Sequence, residues 1–170
     1  MSGAQPNSAR QLVTGAVVVI PKLFIVTLEA TECAGFIPCP QQSGIWEYTG
    51  RSQSAVRLLF DELQRFIAAS GIKRVVLRAG GDKGQYLAGP PAFKIETMLQ
   101  LIPDLAVDII CARSISSWIN RVDPALPAPS ADIGKKQRHN GEQRAIETAG
   151  FAALHDGDAR YFPEEGSACA

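Results

Sequence analysis

The residue pattern predicts an α/β domain, a mixed five-stranded sheet with helices on both faces, and three features carry that prediction. Two runs rich in Val, Ile and Leu follow one another near the amino terminus with only Pro21-Lys22 between them, as the arms of an antiparallel pair do. Beyond residue 54, apolar residues recur at the spacing of an amphipathic helix. From there short apolar runs alternate with helical patterns, the order of parallel strands joined by crossovers. Size agrees: 170 residues, 46% hydrophobic and 20% charged, suit one domain with a sizeable core and exclude a disordered, collagen-like or disulfide-framework chain. The 17 Lys+Arg balance 17 Asp+Glu. That excludes bulk positive charge as a source of nucleic-acid affinity and leaves only local basic patches.

Residues 1–10, MSGAQPNSAR, are small and polar and read as a disordered terminus ahead of a domain spanning 11–154. Residues 12–20 and 23–28 read as two strands. Arg10 before this apolar stretch invites a signal-peptide reading, but Pro21-Lys22 interrupts it, no small-x-small site follows closely, and the uninterrupted run is too short to span a bilayer. The expectation is a cytoplasmic chain with no membrane association. Gly35, Pro38, Pro40 and Gly44 make 31–44 a loop, and Ile45-Trp46-Glu47-Tyr48 is a third strand.

Ser52 or Ser54 can cap a helix whose apolar residues Val56, Leu59, Phe60, Leu63, Phe66 and Ile67 share a face and which stops at Gly71. Residues 72–77 are a buried strand, followed by a glycine-rich loop over 79–91. A helix starts at the prolines and carries Phe93, Ile95, Met98, Leu99 and Ile102 as far as Pro103. Residues 107–111 form the last strand, and Ser114 can cap a helix through Trp118 and Ile119. Three prolines make 123–134 a linker or flap. Residues 141–154 form the closing helix, and 155–170 a flexible acidic tail. Three antiparallel strands leading into helix-linked parallel ones is the arrangement of the ribonuclease H-like fold.

The strand IKRVVLR (72–78), the run KGQYLAGPPAFKIE (83–96), the run MLQLIPDLAVDII (98–110) and the helix GEQRAIETAGFAA (141–153) resemble a family of small bacterial proteins catalogued as domain of unknown function 3010. Lys83, Gly84, Gly89, Phe93, Lys94 and Glu96 keep its spacing. The resemblance implies a ribonuclease H-like, resolvase-type fold. Nucleases on that fold place carboxylates on the first strand, at the end of the fourth strand and on the last helix, because paired divalent metals need converging negative oxygens. Where the resemblance expects Glu, this chain has Val17 and Ala79. No carboxylate lies anywhere from 12 to 28, so a one-residue slip of register restores none. Asp82, Glu142 and Glu147 are the carboxylates that remain for a rearranged site, which would use Mg²⁺ or Mn²⁺.

Charge adds a second candidate site. From 73 to 94 five basic residues oppose Asp82 alone, a local net of +4, and Lys135, Lys136, Arg138 and Arg144 against Glu142 add +3. If Arg78, Lys83, Lys94, Lys135 and Lys136 gather at the carboxyl end of the sheet, they form a basic mouth for phosphate or a nucleic-acid backbone. The alternative is a solvated surface paired with Asp61, Glu62 and Glu96. Residues 84–89 lack the Lys-Ser/Thr that a phosphate-binding Walker loop needs after its last glycine.

The four cysteines, Cys33, Cys39, Cys111 and Cys169, form no C-x-x-C pair. Cys111 is expected to pack in its strand. His139 and His155 read as exposed surface residues, and Trp46 and Trp118 as core or interface anchors. The expected function is therefore a binding or interaction module without two-metal nuclease chemistry and without a cofactor. Its partner would be a nucleic acid or a protein. The alternatives are a metal-dependent nuclease using Asp82, Glu142 and Glu147, and a structural homodimer pairing through its first three strands.

Overall fold

The two amino-terminal apolar runs form the expected antiparallel pair, β1 (Gln11–Val19) and β2 (Lys22–Ala30). They are in register from Gln11 opposite Ala30 to Val19 opposite Lys22, across a turn with a cis Ile20–Pro21 bond. The computed structural model describes residues 10–31, 35–48, 52–79, 90–129 and 136–162. On the far edge of β2 lie two short strands, β3 (Phe36–Pro38) beside its end and β4 (Gly44–Glu47) beside its start. Between them Pro40–Gln42 make one 3-10 turn.

The reading of 31–44 as an unbroken loop is thus corrected. Phe36–Pro38 is extended because β2 offers an open edge, where the missing N–H of Pro38 is harmless. The turn that follows is tied to β2: the Thr27 hydroxyl donates to the Gln42 carbonyl (2.7 Å) and the Cys39 N–H donates to the Thr27 carbonyl (2.9 Å).

Helix α1 (Gln53–Ser70) begins at Ser52, whose Oγ accepts from the Ala55 N–H at 3.2 Å, and ends at Gly71 in the left-handed region, φ 71°. Its buried residues Leu59, Leu63 and Ile67 recur at helical spacing. β5 (Arg74–Ala79) then runs parallel to β1, and β6 (Ala106–Cys111) parallel to β5, with α2 (Pro90–Gln100) as their crossover. β3 and β4 share one edge, so the sheet has five positions in the order β3/β4, β2, β1, β5, β6.

Its two faces carry two cores. Ala16, Leu23, Ile25, Val75 and Leu77 pack with α1 and α2. Val17, Phe24, Val26 and Val76 face α3 (Ala112–Val122) and α4 (Lys136–Leu154). Helix α4 sits close because small residues let it: a Cβ on Gly15 would lie 2.5 Å from the Ala145 carbonyl and the Ala149 amide. The chain is a mixed α/β sheet with helices on both faces.

Other sequence expectations need correction. Helix α3 starts at Ala112, directly after β6 and ahead of Ser114, with Cys111 at its cap making no side-chain bond. Cys111 is exposed, because β6 is the outer strand. Helix α4 starts at Lys136, five residues earlier than apolar periodicity signals, because KQRHN contains nothing apolar. His155 is half-buried: it stacks on Phe151 at 4.1 Å and its Nδ1 lies 2.8 Å from the Phe151 carbonyl oxygen. Trp118 is buried edge-on to Phe151 and Trp46 is edge-on to Phe66, as core anchors should be.

The segment read as an acidic tail turns back at its start. Asp156 accepts from Arg74 at 2.8 Å and Tyr161 meets Phe151 edge-on at 5.0 Å. Residues 1–9, Cys33 and 163–170 lie outside the described residues.

Candidate functional site at the carboxyl end of the sheet

The parallel register of β1 and β5 sets Val17 beside Arg78. Side chains alternate along a strand, so Arg78 shares the face of Val76 and points toward α4. There it meets Glu147. The Arg78 Nη1 donates to Glu147 Oε2 at 2.9 Å, and the two side chains keep only 11% and 17% of their exposure. The Arg78 Nη2 donates to the Ser116 Oγ on α3 at 3.1 Å. The second carboxylate oxygen, Glu147 Oε1, accepts from Gln143 Nε2 one turn earlier on α4, at 3.3 Å. Both oxygens of Glu147 are thereby engaged.

Val17, 4% exposed, lies against Ala145, Ile146 and Ala149 on the same helix. The site is a charge pair let into an apolar wall. Burial lowers the affinity of Arg78 for its proton. The hydrogen bond and charge of Glu147 offset part of this, and the nearby Arg144 adds to the depression. Arginine stays charged throughout, so Glu147 has a counter-cation within the protein.

Of the predicted site residues, Arg78 and Glu147 are therefore together, but as each other's partners. Arg78 does not line an open basic mouth. Lys94 is exposed on α2, which packs on the opposite face of the sheet. Glu142 lies on α4 one turn and a half from Glu147 and makes interactions of its own. Asp82, Lys83 and Lys135 lie outside the described residues, and Lys136 is placed as backbone at the start of α4. Among the described residues, no three carboxylate, His or Cys side chains converge as a metal site requires. With Val17 on β1 and Glu147 held by Arg78, they do not fit a pair of divalent cations. Ser116 and Gln143 escaped the sequence reading. Gln143 had a signal, its i,i+4 spacing to Glu147 on a helix; Ser116 had none.

A family model described as "Protein of unknown function (DUF3010)" matches residues 23–152. No curated protein matches the chain. Among solved structures, Thermus thermophilus RuvC is similar with a TM-score of 0.60 and 8% identity, over 85% of this chain and 96% of that one. RuvC of the same organism in complex with a Holliday junction substrate gives a TM-score of 0.55 and 10% identity over the same shares. At such identities the likeness is one of fold. No helix among the described residues is long and apolar enough to cross a membrane.

Proposed function

We propose, for a chain that belongs to the DUF3010 family, a role as a nucleic-acid-binding module that does not hydrolyse its ligand. The observation that carries this reading is the Arg78–Glu147 pair. A two-metal nuclease on this fold needs carboxylates converging from the first strand, the fourth strand and the last helix. Carboxylates so placed repel one another unless cations bind between them. Here β1 offers Val17, β5, the strand in the corresponding place, offers Arg78 followed by Ala79, and the helix carboxylate Glu147 already has its cation in Arg78. The site is self-compensating and has no electrostatic demand for Mg²⁺ or Mn²⁺.

Support for the ligand class comes from two directions. The basic run of 135–144 is a local excess in a neutral chain, whereas in 73–94 Arg74 and Arg78 are paired with carboxylates and Lys94 lies on the opposite face of the sheet. The fold is that of RuvC, which is known in complex with a Holliday junction substrate. Phosphate contacts dominate nucleic-acid affinity and make it salt-dependent.

The test is fluorescence anisotropy of labelled single-stranded, duplex and four-way-junction DNA and RNA at low and moderate salt, with and without Mn²⁺, with cleavage followed in the same tubes. Binding that weakens with salt and leaves the nucleic acid intact is expected. Cleavage that disappears in Glu147→Gln would establish the nuclease alternative. Absence of any binding at low salt would remove nucleic acid as the ligand.

A further inference from the structure

We infer that the outward face of α3 is the surface on which the nucleic-acid backbone lies, with Arg113 and Arg121 each taking a phosphate. This inference rests on the reading given under Proposed function and deepens it. Helix α3 buries Ile115 and Trp118, so the opposite side must face solvent. That side carries Arg113, Ser116, Ser117, Asn120 and Arg121, all exposed. The helix contains no acidic residue from Ala112 to Val122. Among the described residues, neither arginine takes part in an ion pair. In sequence the nearest acidic residues are Asp123, just beyond the helix, for Arg121, and Asp108, which is bonded to Arg74, for Arg113.

The two arginines differ in what helix physics says of them. Arg121 stands in the last turn, where the helix dipole favours a cation. Arg113 stands in the first turn, where the same dipole disfavours one and where no acidic residue offsets it. A local rule broken without compensation inside the fold points to a compensating charge outside it. The stripe is also connected to the candidate site: Ser116, on its inner margin, accepts from Arg78 at 3.1 Å. A backbone crossing the carboxyl end of the sheet beside the Arg78–Glu147 pair would run directly onto α3.

Spacing fits a duplex or a duplex arm of a junction. Eight residues of helix separate Arg113 from Arg121, about 12 Å along the axis. That is about the width of a duplex major groove, so one arginine can meet the phosphates of each rim. Ser117 and Asn120 lie between them and supply neutral donors of the kind that accompany phosphate contacts.

The experiment compares three proteins, wild type, Arg113→Ala/Arg121→Ala and Arg57→Ala/Arg65→Ala, by anisotropy with labelled duplex and four-way-junction DNA across a salt series. Arg57 and Arg65 are also exposed but lie on α1, on the opposite face of the sheet, so that variant controls for bulk charge. Thermal unfolding verifies that all three are folded. The α3 variant should lose binding by on the order of tenfold to a hundredfold, and the slope of log affinity against log salt should become shallower by about 2, one for each lost phosphate contact. The α1 variant should bind as wild type does. Wild-type binding that survives in the α3 variant, or falls equally in both variants, overturns the inference while leaving the binding function standing. No wild-type binding at low salt overturns both.

Discussion

Arg74 and Arg78 stand four residues apart on β5, on the same face of the sheet, and each is ion-paired, yet the two clusters behave as opposites. Arg74 bonds Asp108 at 2.6 Å and Asp156 at 2.8 Å and lies over the Phe162 ring at 4.7 Å, with all three charged side chains at least a third exposed. Burial pulls its proton affinity down, but the hydrogen bonds to Asp108 and Asp156 more than reverse this and leave it above its ordinary value. At Arg78 burial is deeper and one carboxylate answers it, so the net shift is downward. The lesson concerns solvent. At the amino end of β5 two anions meet one cation in reach of water, and the cluster fastens residues 155–162. At the carboxyl end the charges are enclosed, so the pair is held by the impossibility of separating it.

This contrast predicts unequal responses to mutation. Replacing Arg78 by Met leaves Glu147 largely buried without a counter-charge and should lower stability to urea by about 3 kcal/mol. Replacing both partners, Arg78→Met with Glu147→Leu, should return stability to within about 1 kcal/mol of wild type, since no charge is then stranded. If the double variant is as unstable as the single one, the pair is not the self-contained unit described above. A second perturbation acts on the same site through packing. Gly15→Ala sets a methyl against the α4 backbone at Ala145 and Ala149, so α4 must shift and carry Glu147 with it. A loss of about 2 kcal/mol is expected by the usual penalty of overpacking, visible as a lower urea midpoint with an unchanged slope.

Arg74→Ala should do much less. Its partners remain solvated, so the loss should be under about 1 kcal/mol and should shrink further in high salt. Its clearer signature is local: amide hydrogen exchange should accelerate in 155–162 while β5 stays protected. Equal protection in variant and wild type would show that Phe151, His155 and Tyr161 hold the segment without Arg74.

The same contrast explains what the sequence could reveal. β1, β2, β5 and α1 were legible because each buries a face whose period is written in Val, Ile and Leu, with Ser52 and Gly71 marking the helix ends. Phe36–Pro38 was not, since three residues amid Gly and Pro have no period and become a strand only because the edge of β2 is open. The start of α4 was silent for the same reason, as Lys136 to Asn140 include no apolar residue from which a pattern could be read. At the site, Arg78 and Glu147 were both singled out, one as an anion contact and one as a metal ligand. The structure sets the two against each other as an ion pair. Their pairing joins positions 69 apart in the chain, and a contact of that range leaves no trace in local spacing.

A carboxylate without a cation completes the comparison and gives the smallest effect. Glu96 on α2 is half-buried, no ion pair is formed with it among the described residues, and burial raises its pKa above the ordinary 4.5. The folded state therefore holds this proton more tightly than the unfolded chain does. Between the ordinary value and the raised one the folded state binds more protons, so stability falls as pH rises through that window and stays lower above it. Glu96→Gln removes the charge and keeps the shape. It should raise the Tm slightly at neutral pH, by less than Arg74→Ala lowers it, and the gain should vanish at acidic pH, where Glu96 is protonated in both states. A gain that persists in acid would point to packing at Glu96 in place of charge. A loss at neutral pH would show that an ionised Glu96 has a partner that burial alone does not reveal.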